Sequence, residues 1–86
     1  MVSQEVIVTN PTGLHGRPAS ILVTTAARFK SDIDIIKEGS HFNAKSIMSV
    51  MGSAVAQGYT IGIQADGVDE EQAVETLVTL IKNEFK

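Results

Sequence analysis

Thr12-Gly13-Leu14-His15-Gly16-Arg17-Pro18-Ala19 decides how this chain folds, because a strand must end and a helix must begin within it. Gly13 permits a tight turn. Pro18 is tolerated only within a first helical turn, where no backbone donor is needed. Upstream, Gln4 to Thr9 alternates with Val6 and Val8 on one side, which predicts a strand. Downstream, Ala19, Leu22, Val23, Ala26 and Phe29 recur at helical spacing, which predicts a helix from Arg17 to about Phe29.

The same reading extends to the rest of the chain. Asp32 to Lys37 places Ile33 and Ile35 on one side, and Glu38-Gly39-Ser40 turns the chain into His41-Phe42-Asn43-Ala44. This is a hairpin pattern with Gly39 as the positive-φ residue. Ser46 to Gly52 reads as a short helix, with Ser46 as N-cap and Gly52 just past its C-terminus. Tyr59 to Ala65 alternates through Ile61 and Ile63 as a last strand. A final helix opens at Asp69, with Gln72 completing a capping box and Glu70 and Glu71 in the favourable first turn. Its buried stripe is Val74, Leu77, Val78, Ile81 and Phe85. The order is βαββαβα, an α+β pattern whose alternating strands bury one sheet face under the helices.

Composition narrows the function classes. A chain of 86 residues is expected to form one domain, residues 1–86, with a single modest core. It has no cysteine, which excludes disulfides and thiolate metal sites. No apolar run approaches membrane-spanning length, and Met1-Val2-Ser3-Gln4-Glu5 lacks the layout of a signal peptide, so a cytoplasmic protein is expected. A net charge of −3 and only four aromatic residues argue against nucleic-acid binding.

The chemistry centres on His15. The amides that open a helix lack intrahelical partners and carry the positive end of the helix dipole. Arg17 adds a permanent cation whose planar donor fork suits phosphate oxygens. A neutral imidazole beside them can accept a phosphoryl group, hold it and pass it on. A histidine in a loop is ordinarily only a polar surface residue; the arginine at the same helix entrance is what weakens that reading.

Two motifs add a family resemblance. Gly13-Leu14-His15-Gly16-Arg17-Pro18-Ala19 and Asn43-Ala44-Lys45-Ser46-Ile47-Met48 resemble the phosphorylation-site signature and regulatory-serine region of the HPr family, the histidine-containing phosphocarriers of the bacterial phosphoenolpyruvate:sugar phosphotransferase system. The resemblance runs over essentially the whole chain. It implies an open-faced β-sandwich, a four-stranded antiparallel sheet with three helices on one face. It also implies that His15 takes phosphate at Nδ1 from phosphorylated Enzyme I and donates it to IIA domains of sugar permeases. Arg17 and the Gly16 and Arg17 amides would then stabilise the phosphate. The Lys45-Ser46-Ile47-Met48 version resembles the Gram-positive branch. There Ser46 is phosphorylated by HPr kinase/phosphorylase, and the product binds catabolite control protein A. Where the family commonly has Ala or Thr after the histidine, this chain has Gly16, which near a helix start costs up to about 1 kcal/mol relative to alanine.

Ser46 taken alone is an N-cap, and only the resemblance gives it a regulatory role. Ile47, Met48 and Met51 share one side of the short helix, while Val50 points into the core. Ile21 lies off the buried stripe, on the side of Arg17, Ser20 and Thr24. Two exposed apolar clusters beside one histidine read as a docking surface for several partners. His41 is read as solvent-facing, and Asp66, Asp69, Glu70 and Glu71 as a turn and a charged helix start, so neither metal nor cofactor is expected. A monomer is expected. The alternatives are a regulatory paralogue, either catabolite-repression or nitrogen-branch, acting through partner binding, and a ferredoxin-like binding module. An enzyme is disfavoured by the lack of a nucleotide loop or a paired base and nucleophile.

Overall fold

The computed structural model describes all residues from Met1 to Lys86. Its elements run β1 (Val2–Ile7), α1 (Arg17–Ala26), β2 (Asp32–Lys37), β3 (Ser40–Asn43), α2 (Ile47–Gly52), β4 (Thr60–Asp66) and α3 (Glu70–Lys82). All strand pairs are antiparallel, and the sheet order is β1-β4-β2-β3. This is the open βαββαβα sheet with three helices that the pattern predicts.

The alternation sets the faces. Ile61, Ile63 and Ala65 of β4 are buried, while Thr60 and Asp66 are exposed. Pairing aligns Ile63 with Ile35 of β2 and Ala65 with Ile33, so one face of the sheet is continuously apolar. Helix α3 lays Ala73, Val74, Leu77, Val78 and Ile81 on it, and α1 adds Ala19, Leu22 and Ala26. These belong to one cluster of 20 buried hydrophobic residues. At roughly 1.5–3 kcal/mol per fully buried large aliphatic side chain, that cluster is the main stabilising term.

Several boundaries differ from the sequence reading. Strand β1 begins at Val2, because its pairing with β4 runs from Val2–Ala65 to Ile7–Thr60. Val8 continues only through isolated bonds to the Tyr59 carbonyl and the Gly58 amide. Helix α1 stops at Ala26 rather than Phe29. There the Arg28 and Phe29 amides tighten to carbonyls three residues back, and Lys45 Nζ takes the Phe29 carbonyl at 2.7 Å. Gly52 is the last residue of α2, not the residue beyond it; Ser53 is the C-cap.

The β2–β3 turn has positive φ at both Glu38 (50°) and Gly39 (83°), the signature of a type I′ hairpin. Only Gly39 was foreseeable from residue type. The capping box expected at α3 is absent. Asp69 occupies the N-cap without capping, and Gly67 instead donates its amide to Glu70 Oε1 at 3.1 Å. Asp69 accepts from the Lys30 amide at 2.8 Å, the Ser31 amide at 3.0 Å and the Ser31 hydroxyl. Phe85 returns to the core past the helix end, its amide bonded to the Leu80 carbonyl at 2.9 Å.

Candidate functional site

The loop between β1 and α1 is held from below. Leu14 is 1% exposed, an apolar anchor directly before an exposed His15. The Leu14 amide donates to the Val55 carbonyl at 3.0 Å, and the Gly13 amide donates to the Asn10 carbonyl at 3.2 Å. Gly13 has φ +62°, and a Cβ there would lie 2.2 Å from the Val55 oxygen. Glycine is therefore required twice over, by torsion and by close approach. The loop thus lies against the segment that follows α2, and His15 stands clear of both.

Gly16 is the N-cap of α1, at φ +64° and ψ −130°. This reverses the expected effect of glycine: an L-residue here would be strained, so Gly16 relieves a cost instead of imposing one. No side chain caps the helix, and Pro18 supplies no amide. The Gly16, Arg17 and Ala19 amides meet no protein acceptor, and the first helical bond runs from Ser20 to the Gly16 carbonyl. The Arg17 side chain is exposed and forms no ion pair. An imidazole, open amides and an unpaired guanidinium therefore share one helix entrance.

Helix α2 packs against α1. Ser46 caps α2 through its hydroxyl, which accepts from the Ser49 amide at 3.2 Å, as its position predicts. Val50 is fully buried, whereas Ile47 is 39%, Met48 84% and Met51 37% exposed. Ser20 and Thr24 of α1 are exposed too. Ile21 is not: it is half-buried against the core, because the α1 apolar face is wider than the stripe read from spacing. His41 faces solvent as expected, and its Nδ1 lies 3.1 Å from Asp34 Oδ2 on the adjoining strand.

Two contributors escaped the sequence reading. Asn10, only 4% exposed, braces the loop through Nδ2, 2.9 Å from the Gly13 carbonyl. Lys37 reaches from β2 to the C-terminal end of α2, donating to the Ser53 carbonyl at 2.9 Å and the Ala54 carbonyl at 3.3 Å. Asn10-Pro11-Thr12-Gly13 carries an obvious turn signal, but nothing local reveals which carbonyl the asparagine grips. The Lys37 contact spans 16 residues and leaves no local trace.

The open sheet thus presents one exposed histidine at a helix entrance, beside amides without protein acceptors and an unpaired guanidinium. Residues 2–83 match the family described as "PTS HPr component phosphorylation site". The chain belongs to this HPr family, and its relatives named phosphocarrier protein HPr, such as that of Xylella fastidiosa at 44% identity over 99% of this chain and 96% of that one, are carriers and not enzymes. It is similar to the HPr-like protein Crh of Halalkalibacterium halodurans, at 45% identity over 98% of this chain and all of that one. It is also similar to the solved HPr-C-His of Thermoanaerobacter tengcongensis, with TM-score 0.96 and 44% identity over 99% of this chain and 96% of that one. An HPr dimer from the same organism aligns at TM-score 0.80 and 43% identity, covering 100% of this chain and 99% of that one. No helix of this protein is long and apolar enough to cross a membrane.

Proposed function

We propose that this protein is a cytoplasmic phosphoryl carrier of a sugar phosphotransferase system, working as the single domain 1–86. His15 accepts phosphate from phosphorylated Enzyme I and donates it to IIA domains of sugar permeases. The observation that carries this reading is the convergence at one helix entrance of the exposed His15 ring, the unpaired Gly16 and Arg17 amides and the free Arg17 guanidinium. In the transfer the Nδ1 lone pair attacks phosphorus, the bond to the donor breaks with its electron pair, and Nε2 keeps its proton. The dianion then meets donors that are exposed. Their hydrogen bonds are of modest strength, which suits a group that must leave again. Incubation with Enzyme I and phosphoenolpyruvate, followed by mapping of the modified residue, tests this. Acid-labile, alkali-stable phosphate is expected on His15, and none on His15→Ala; modification of that variant, or of a different residue in the native chain, overturns the reading.

Docking is assigned to Ser20, Ile21, Thr24, Ile47, Met48 and Met51 beside His15, with the flexible methionines adapting to several partners. Ser46 is proposed as a regulatory site for HPr kinase/phosphorylase, its phosphorylated form being recognised by catabolite control protein A. Phosphate added there meets the positive end of α2, so the helix survives and the message is electrostatic. The protein is proposed to act as a monomer, without nucleic acid or membrane insertion; sedimentation separates this from a dimer like that of the T. tengcongensis HPr. The 45% identity to a Crh protein favours one second reading, a paralogue working only through phosphorylated Ser46. A chain labelled by the kinase but never by Enzyme I would establish it.

A further inference from the structure

We propose that Asn10 is a positioning residue for the phosphoryl acceptor, its carboxamide orienting the Gly13–Leu14 peptide just ahead of His15; the proposal rests on the phosphocarrier reading above. The Gly13–Leu14 peptide unit is clamped at both ends. Its carbonyl accepts from Asn10 Nδ2 at 2.9 Å, and its amide donates to the Val55 carbonyl at 3.0 Å. The Asn10 main-chain carbonyl also accepts from the Gly13 amide at 3.2 Å, so Asn10 grips both polar groups of Gly13. Leu14 is pinned in the core and His15 follows it directly, which leaves few torsions between the clamp and the imidazole.

The same carboxamide is poorly suited to a purely stabilising role. Asn10 is 4% exposed, and its Oδ1 is buried without any partner. A buried acceptor left unmade is destabilising, and it offsets part of what the Nδ2 bond to the buried Gly13 carbonyl contributes. What an apolar residue cannot do is hold the Gly13 carbonyl. A local rule broken where a side chain holds the loop ahead of an acceptor histidine is characteristic of functional positions. The contact from Nδ2 to Thr12 Oγ1, at 3.4 Å, is long for a hydrogen bond and supplies little of the grip.

The test compares phosphoryl transfer from Enzyme I with amide exchange in the full chain, at a temperature where every variant is folded. Asn10→Leu removes both the orphan acceptor and the grip. It trades the Oδ1 orphan for an unpaired Gly13 carbonyl, so the unfolding midpoint should stay near the native one, while the maximal transfer rate falls at least tenfold and the half-saturating concentration stays within twofold. Exchange of the Leu14 amide should rise at least tenfold, while β2 and β4 amides stay unchanged. Asn10→Asp keeps the shape but cannot donate to the Gly13 carbonyl when ionised, and it should slow transfer similarly if Asn10→Leu fails to fold. Thr12→Val should transfer within twofold of the native rate. A native rate in either Asn10 variant, or a loss in Thr12→Val as large as theirs, overturns the proposal. If the native chain itself takes no phosphate on His15, the carrier reading fails; unchanged Leu14 exchange in Asn10→Leu would then separately remove the clamp.

Discussion

At the scale of single residues, two glycines with nearly the same torsion do different jobs. Gly13 (φ +62°) lies against the backbone of Val55 and Ala56, whereas nothing lies within 4 Å of a Cβ built on Gly16 (φ +64°). Gly16→Ala should therefore impose torsional strain alone, about 1–3 kcal/mol. Gly13→Ala adds an overlap with main-chain atoms that cannot swing aside, so it should destabilise the fold by a further 1 kcal/mol or more. Urea unfolding of the two variants checks the order; equal losses would contradict the close packing at Gly13. Arg17 is tested by chemistry. Its side chain makes no ion pair, so Arg17→Lys should unfold at the native midpoint yet transfer phosphate more slowly, a point charge replacing a planar fork. Unchanged single-turnover transfer would remove Arg17 from the mechanism. The turn, the helix start and the arginine placed at it were legible in the sequence; that this arginine has no ion-pair partner was not. The sign of the glycine effect at Gly16 was not, because it depends on a torsion that residue identity does not fix.

At the scale of elements, α2 is too short to be stable on its own propensity and depends on both of its ends. The Ser46 hydroxyl holds the Ser49 amide, and the Lys37 ammonium holds the Ser53 and Ala54 carbonyls. Ser46→Ala should lower stability by about 1 kcal/mol. Ser46→Asp keeps an acceptor at the cap, so thermal melting should return close to native while phosphorylation of His15 slows. A Ser46→Asp chain that melts like Ser46→Ala would deny the compatibility of charge with this helix end. Met48, at 84% exposure, contributes little to folding, so Met48→Asp should change partner affinity and leave the melting curve alone. The first end of α2 was read correctly because caps are local chemistry. Its other end was not, since the cation that closes it arrives from β2.

At the scale of the whole molecule, long-range ties decide what periodicity leaves open. Five of the seven elements were recognisable from alternation or helical spacing, β3 from the turn before it and α2 from its cap. The sheet order β1-β4-β2-β3 was not, because strands that are equally apolar on one face carry no label for their neighbours. Asp69 shows the same limit at a single side chain. Its place before an apolar helix predicts a cap, yet its carboxylate reaches back 38 residues to Ser31 and also binds the Lys30 amide, joining the α1–β2 turn to the start of α3. The Ser31 hydroxyl, with help from the Lys30 amide, pulls its pKa down to about 2 from the ordinary carboxylate value of 3.8. The sign follows from linkage. An unfolded chain takes up this proton near the ordinary carboxylate value and the folded chain only near 2, so the tie contributes fully above about pH 4 and is lost as pH falls towards 2. Asp69→Ala should therefore melt below the native chain at neutral pH, and the gap should close progressively between pH 4 and pH 2. A gap that stays constant across that range would mean that the carboxylate is bound no more tightly in the folded chain than in the unfolded one, and that some other contact joins the turn to α3.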